Sequence, residues 1–474
     1  MFQYFFSDLI EPQPRPRRVG SILYPQAREG VFLVLLGALV GLLTGLGAIA
    51  FHFLVAIIHN VAITGKLQFD QNLNVHTEPS IWGWALPILP ALGGLIVIYL
   101  ARHYAPEIQG AGVSQVLEAI HTREGRMRRS IALLRPLATA ITIGTGGSAG
   151  REGPAMQFGA AITSWLDTIM VLPTHRRVHL LGCGIGAGIA AVFNAPLGGW
   201  FLAMEVILPD WRPWTILSTL VATIVASQVT VMVFGNFHLL PTVISTPVNQ
   251  TMPLLIFAGL GLVEALGSII FIVTLSTTTH ISERLLPNAY VRHALGMFLV
   301  GLLLLLSLAV TGHYYLIGGS YVGTGDILRG TLTDTNVLLI LLVLKLIATS
   351  LTIGSGGSGG IFSPSLFIGA AIAMLYGYCL TQWHVLSPHL MGTIGLCGMA
   401  GMVAASTGAL LSAPIMVIEL TGNYAALLPA ILTAVSAFAV RRMFMKDSIY
   451  TLPLRRRGVK IQENHYVLEN NDGR

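Results

Sequence analysis

The chain has 474 residues, of which 54% are hydrophobic and only 10% are charged, and its formal net charge is +6. Soluble domains carry about 25% charged residues, so this composition excludes a soluble globular protein and indicates a membrane protein. The positive charge does not indicate nucleic-acid binding, because no soluble basic domain is available and the basic residues flank apolar runs instead.

The N-terminal segment, residues 1–30, is rich in Pro and Arg and precedes the first apolar run. Basic residues also follow the last apolar run, so the positive-inside rule predicts that both termini are cytoplasmic. Six runs between these ends are long enough to cross a bilayer: residues 31–58, 81–101, 215–234, 252–275, 293–311 and 336–353. The sequence therefore predicts an all-α polytopic membrane protein.

Gly-rich helix starts occur at Gly110–Ser114 (GAGVS) and, more strongly, at Gly150–Pro154 (GREGP). Pro favours the first helical turn, so the N–H groups of Arg151, Glu152 and Gly153 are predicted to point at a helix N-terminus, where anions bind. A carboxylate at membrane depth costs about 2.5–3.5 kcal/mol. We interpret Glu152 as a gate that competes with a dissolved anion, the alternative being an ordinary structural cap.

The same interruption recurs at a constant offset of 210 residues and ends in GIFSP at Gly360–Pro364. It carries no charge, so the N–H groups of Ile361 and Phe362 are predicted to remain available to a ligand. The Phe362 ring is predicted to lie beside the site, because it occupies the repeat position of Glu152, the alternative being core packing. Matching interruptions indicate two related halves, residues 31–235 and 250–450, and a binding site at the membrane midplane between them.

Later features of the chain extend this repeat. A helix ending in Glu419 matches an earlier one ending in Glu205. Tyr450 lies near the end of the last half, and the tail at residues 456–474 is too short for a folded domain. No metal site, disulfide or cofactor is expected, because three cysteines lie in apolar segments without CxxC spacing: Cys183, Cys379 and Cys397.

Five features together, in this order and at these spacings, resemble the CLC family of chloride channels and proton/chloride exchangers: Gly110–Ser114, Gly150–Pro154, Phe193–Leu197 (FNAPL), Gly360–Pro364 and Tyr450. The resemblance covers about residues 30–455. It implies a CLC-type transmembrane domain over residues 31–455, an inverted repeat, and a homodimer with one pore in each subunit. The absence of a large cytoplasmic domain points, by analogy with the family, to a bacterial inner membrane.

The resemblance also implies roles for single residues. Glu152 matches the gating glutamate, and Tyr450 matches the hydroxyl donor to the central chloride. Ile361 and Phe362 match the backbone donors to that chloride.

The inner anion site of the family matches backbone at Gly110 and Ala111, but the family usually has serine where this chain has Ala111. A lost hydrogen bond to a charged group is worth about 1.5–3 kcal/mol. We therefore expect weaker discrimination between chloride and nitrate.

Proton coupling is where the chain departs most from the exchangers that it resembles. These usually carry two adjacent glutamates after FNAPL, whereas here Glu205 is followed by Val206, at the position of the internal proton-transfer glutamate. Valine cannot carry a proton, so passive conduction is favoured. Glu118 and His121, near the expected inner entrance, are alternative proton carriers.

The leading hypothesis is a chloride channel gated by Glu152 and sensitive to pH and voltage; the alternative is a proton-coupled chloride antiporter with a different internal proton route. A transporter of metabolite anions is less favoured, because only Gly, Ala, Phe and Tyr surround the breaks, which suits a small anion such as chloride, nitrate or bromide. No enzyme is expected, because neither Gly-rich loop follows a strand or contains a GK[ST] motif.

Overall fold

The computed structural model describes residues 20–69, 75–170, 172–208, 211–236, 238–240 and 251–459. Most of the predicted N-terminal segment and of the tail after residue 456 lies outside the described residues. Across the described ranges the chain is helical, and the only β-type pairings there are two isolated backbone bridges.

The α-helices form two consecutive series. The first series is α1 (Gly20–His59), α2 (Ile88–His103), α3 (Val113–Arg123), α4 (Ile131–Gly144), α5 (Glu152–Met170), α6 (Thr174–Phe193), α7 (Pro196–Leu202) and α8 (Pro213–Phe234). The second series is α9 (Thr251–Leu285), α10 (Ala289–Thr311), α11 (Tyr321–Arg329), α12 (Thr335–Gly354), α13 (Phe362–Gln382), α14 (Met391–Thr407), α15 (Ser412–Thr421), α16 (Leu427–Phe444) and α17 (Thr451–Arg456).

Ten described helical segments are long and apolar enough to cross a membrane, so this is a multi-pass membrane protein. Six of them correspond to the predicted runs, and the sequence-based prediction missed the other four, which are α6, α13, α14 and α16. The reason is clearest for α6 and α14, whose most apolar windows are 83% and 89% buried inside the protein. A helix covered by protein instead of lipid can be rich in small residues and need not be strongly apolar.

The two halves interlock by reciprocal hydrogen bonds across the Gly-rich breaks. The Ser358 N–H donates to Thr142 Oγ1 at 3.4 Å, and the Ser148 N–H donates to Thr352 Oγ1 at 3.1 Å. Exchanging the two halves converts one pair into the other, because the Thr and the Ser both recur at the offset of 210 residues. Such reciprocity is the property of a two-fold relation, and the fold is the predicted inverted repeat.

Backbone contacts between small residues hold α5 and α13 in place. A Cβ added to Gly159 in α5 would lie 2.1 Å from the Gly184 carbonyl oxygen in α6. In the second half, a Cβ on Gly369 in α13 would lie 2.5 Å from the Gly398 oxygen in α14. Only glycine permits these crossings, which fix the helices whose N-termini carry the two breaks.

Candidate anion-binding site

Each break reverses the chain at a glycine and then opens a new helix. Gly146 and Gly356 have φ values of +111° and +124°, which residues with a Cβ rarely adopt. The strands of backbone that follow pair antiparallel, because Gly150 and Gly360 exchange two N–H···O bonds of 2.7 Å. The N-termini of α5 and α13 therefore start next to one another, at the centre of the fold.

The Glu152 carboxylate lies on the N-terminus of α13. Its Oε1 accepts the N–H groups of Phe362 at 2.7 Å and Ser363 at 3.1 Å, and its Oε2 accepts the Ser363 hydroxyl at 2.7 Å. The prediction that the Phe362 N–H is available to an external ligand is thus wrong for this conformation. Ser363 supplies two donors that the sequence analysis did not single out, and Ile361 remains a predicted donor.

The other predicted donors of the first break take different positions. Arg151 is buried, and its guanidinium contacts the His52 ring, with 3.2 Å between Nη1 and Nδ1. A Cβ on Gly153 would lie 2.0 Å from the Ala111 carbonyl oxygen and 3.1 Å from Gly360 Cα. The structure thus brings the three Gly-rich helix starts into backbone contact, and glycine at position 153 is what permits it.

The Gly110–Ser114 loop differs from the prediction at one hydrogen-bond donor. The Gly110 N–H donates to the Gly357 carbonyl at 2.7 Å, so it is not free to bind an anion. The Gly110 carbonyl in turn accepts Arg135 Nη2 at 2.7 Å. Ala111 lies at the wall of a cavity of about 710 Å³, the inner cavity, which opens beside the basic helix α17.

The two predicted aromatic site residues are both buried, with Tyr450 only 2% exposed. Its carbonyl accepts the Ser114 hydroxyl at 2.9 Å, which ties the start of α17 to the first turn of α3. The Phe362 ring packs against Phe193 with 5.7 Å between the centroids. The alternative interpretation of Phe362 as a core-packing residue therefore accounts for this contact.

The predicted proton-site positions lie in a π-helical turn, Ala203–Ile207. The Glu205 carboxylate accepts three N–H groups at the start of α15, from Leu410, Leu411 and Ser412. In the other half, Glu419 accepts those of Leu197 and Gly198 at the start of α7. Both glutamates are thus reciprocal helix caps, and Val206 packs against the hydrophobic core.

The predicted alternative proton carriers lie on α3. Glu118 lines the inner cavity and pairs with Arg457 at 3.3 Å. His121 Nδ1 lies 2.8 Å from the Leu117 carbonyl oxygen of its own helix. His280 and Glu283 also line the inner cavity, so several titratable side chains surround it.

Three buried charged residues were missed by the sequence analysis, although each is the lone charge within an apolar run. Arg135 in α4 donates to the Ile108 and Gly110 carbonyls. Lys345 in α12 donates to Ser148 Oγ, and to two carbonyls of the segment before α11. Glu264 in α9 is fully buried, and neither of its oxygens has a hydrogen-bond partner among the residues described. A lone charge inside an apolar run is the signal that would have found them.

A second, smaller cavity of about 60 Å³, the outer cavity, lies at the opposite end of α10 from the inner cavity. Arg151, His76 and Tyr321 are among its lining residues. His76 Nε2 lies 3.0 Å from an Asp326 oxygen, and His76 stacks on His313 with 3.8 Å between centroids. Burial lowers the pKa of His76, and the Asp326 carboxylate acts in the opposite direction.

Comparison with known proteins points to one family. A family model described as voltage gated chloride channel matches residues 93–442. A Citrobacter koseri protein named voltage-gated ClC-type chloride channel ClcB is 29% identical over 427 residues, which cover 88% of this chain and 97% of the relative. The ClcB of Escherichia coli O9:H4 is 30% identical over 393 residues, which cover 81% and 90%.

Solved structures share the fold. A slow cyanobacterial Cl⁻/H⁺ antiporter has a TM-score of 0.77 at 22% identity, covering 90% of this chain and 97% of that one. A CLC-type fluoride/proton antiporter has a TM-score of 0.71 at 22% identity, covering 89% and 97%. Because the family model spans most of the transmembrane region and the ClcB relatives match over most of their length, the chain belongs to the CLC family of chloride transport proteins.

Proposed function

We propose that this protein conducts chloride passively and that the Glu152 carboxylate is the gate. The observation that carries the proposal is the position of this carboxylate on the donors of Phe362 and Ser363. An anion moving between the outer and inner cavities needs the same donors, so it and the carboxylate exclude one another. Displacement or protonation of Glu152 releases the N–H groups to chloride, which links conduction to voltage and to pH.

Passive conduction is favoured because the chain has no protonatable side chain at position 206. The neighbouring Glu205 caps the start of α15, where both of its carboxylate oxygens accept backbone N–H groups. The ClcB relatives of this chain are likewise named channels.

Proton-coupled chloride antiport is the second candidate. It is favoured by the titratable side chains of Glu118, His280 and Glu283 around the inner cavity, which offer a proton route that bypasses position 206. The solved structures of this fold described above are antiporters. Both candidates use Glu152 as the gate, and they differ in whether proton movement is obligatory.

The reversal potential separates the two candidates. With the purified protein in a planar bilayer, a tenfold chloride gradient is combined with equal or unequal pH on the two sides. A passive channel reverses at the chloride equilibrium potential in both conditions. A reversal potential that shifts when only the pH gradient is changed would establish the antiporter, and no chloride current or flux at all would contradict both candidates.

Chloride is the proposed ligand, with nitrate as the closest competitor. We expect Ala111→Ser to increase the ratio of chloride to nitrate permeability about tenfold, because the added hydroxyl restores a hydrogen bond to the smaller anion worth about 1.5–3 kcal/mol. The ratio is measured from bi-ionic reversal potentials. The matched control is Ala149→Ser, at a buried alanine of the first break outside the Gly110–Ser114 loop. An equal ratio in wild type and Ala111→Ser would contradict the assignment.

We further infer a homodimer in the bacterial inner membrane with both termini in the cytoplasm and no enzymatic activity. The orientation is supported by the basic side chains of α17 and the residue after it, Arg455, Arg456 and Arg457. Cysteine labelling of positions 455 and 313, which lie at the inner and outer ends of the helical bundle, tests the orientation in intact cells.

A further inference from the structure

The Glu152 gate is joined to the outer cavity by two hydroxyl groups. Ser363 Oγ lies 2.7 Å from Glu152 Oε2, and Tyr321 Oη lies 2.7 Å from Ser363 Oγ. An ionised carboxylate has no proton to give, so Ser363 donates to Glu152. Since its only hydroxyl proton is then used, Tyr321 donates to Ser363. The chain of donors therefore runs in one direction, from Tyr321 to the gate.

This chain of hydroxyls is shielded from other partners. Glu152 and Ser363 are fully buried, and Tyr321 is 7% exposed. Gly319 makes room for the pair, because a Cβ there would lie 2.7 Å from Ser363 Cβ and 2.8 Å from Tyr321 Cζ. Glycine at position 319 is therefore required for Ser363 and Tyr321 to lie this close. Burial shields the hydrogen bonds between Tyr321, Ser363 and Glu152 from bulk water.

Tyr321 forms part of the wall of the outer cavity, so one end of the chain of hydroxyls is next to a space of about 60 Å³, which is large enough to hold water. Arg151, the neighbour of the gate, lines the same cavity. The other end of the chain of hydroxyls is the gate carboxylate itself. The structure thus provides a continuous hydrogen-bonded path from the outer cavity to Glu152, one that does not include the Phe362 N–H.

We propose that Tyr321 and Ser363 are a proton relay that opens the gate from the outer side. A hydronium ion in the outer cavity gives a proton to Tyr321 Oη, as Tyr321 passes its own proton to Ser363 Oγ and Ser363 passes its proton to Glu152 Oε2. One proton moves from water to carboxylate, both hydroxyls stay neutral, and each reverses its orientation. The proposal rests on Glu152 being the gate, as proposed above.

The test is the rate at which chloride current rises after the pH on the outer side is stepped from 7.5 to 5 in a planar bilayer. We expect Tyr321→Phe to slow this rise at least about tenfold, because the ring is kept and only the donor at the end of the relay is lost. The response to a pH step on the inner side is expected to keep its wild-type rate. The matched control is Tyr314→Phe, whose hydroxyl lies in the same cavity wall but accepts the Ser80 N–H instead.

Ser363 gives an independent second test, because its hydroxyl is both part of the relay and a donor to the closed gate. Ser363→Ala is expected to slow the outer response as Tyr321→Phe does, and in addition to raise the current at outer pH 7.5 about tenfold through loss of a hydrogen bond to a charged group. Ser363→Thr keeps the hydroxyl and is expected to restore the wild-type rate.

Wild-type kinetics in Tyr321→Phe would overturn the relay, even if Ser363→Ala raised the resting current. Slowing of equal size for pH steps on both sides would also overturn it, because a general structural defect affects the responses from both sides of the membrane. Failure of the proposed function looks different: the wild-type current would not respond to outer pH at all, or Glu152→Ala would keep the wild-type pH response.

Discussion

Glu152→Ala is expected to conduct chloride at all pH values, with a current at pH 7.5 at least about tenfold above that of the wild-type protein. The wild-type carboxylate accepts three hydrogen bonds from Phe362 and Ser363, and hydrogen bonds to charged groups are worth about 1.5–3 kcal/mol each. Truncation removes the competing anion and leaves all three donors to chloride. The measurement is macroscopic current in a planar bilayer from pH 4.5 to 8.

Two further variants test whether this result is due to the charge of Glu152. Glu152→Gln keeps the shape of the side chain without its charge, so it should share the loss of pH response and pass less current than the alanine variant. Glu118→Gln is the matched control, because it neutralises a carboxylate in the inner cavity, away from the breaks. A Glu152→Ala protein that still loses current as pH rises would show that another group is the gate.

The position of Glu152 was predictable because membrane burial leaves a carboxylate few options. The repeat at an offset of 210 residues, together with the inverted arrangement, places the first turn of one break opposite the first turn of the other. Which N–H groups would hold the carboxylate was not predictable. That choice depends on the backbone pairing of Gly150 with Gly360, which brings Glu152 over the donors of Phe362 and Ser363 in the other half.

Glu205 shows the opposite situation, in which the motif was recognised but its partner was not. The sequence gives two glutamates at corresponding ends of two helices. Only the fold shows that each one caps the first turn of a helix in the other half: Glu205 accepts the Ser412 N–H of α15, and Glu419 accepts the Gly198 N–H of α7. Contacts between residues more than 200 positions apart follow from how the halves pack, and hydrophobic periodicity carries no information about that packing.

The four membrane spans that were not predicted, α6, α13, α14 and α16, were missed for a related reason. Predicting spans from apolar runs assumes that each span faces lipid, whereas α6 and α14 are surrounded by protein. Their small residues serve the close crossings at Gly184 and Gly398 that position α5 and α13. The part of the fold nearest the site is therefore the part that an apolar-run criterion describes least well.

Lys345 is the buried charge whose removal should have the largest effect after the gate. Its Nζ donates to Ser148 Oγ at 2.8 Å, to the Gly318 carbonyl at 2.8 Å and to the Leu316 carbonyl at 3.2 Å. Three acceptors match the three N–H groups of an ammonium ion. No carboxylate lies within ion-pair distance of Lys345 among the residues with described side chains. Glu152 is the acidic group that interacts with the charge of Lys345 over a longer distance.

Lys345→Met is expected to lower the apparent affinity for chloride about tenfold. Ser148 belongs to the first break, four residues before Glu152, so the charge lies beside the anion path. A unit charge roughly 10 Å from an anion contributes about 1–2 kcal/mol at an effective dielectric constant of about 20. The measurement is the chloride concentration that gives half-maximal current, determined in a Glu152→Ala background so that the gate does not contribute.

The same substitution leaves the Leu316 and Gly318 carbonyls buried without their donor, and an unsatisfied buried acceptor costs about 1–3 kcal/mol. Lys345→Met should therefore also lower the temperature of unfolding in detergent, whereas Lys345→Arg, which keeps charge and donors in a larger group, should recover most of the chloride affinity. The two readouts separate charge from structure. If the thermal midpoint falls in Lys345→Met but the half-maximal chloride concentration does not change, the lysine holds the break together and its field does not reach the anion.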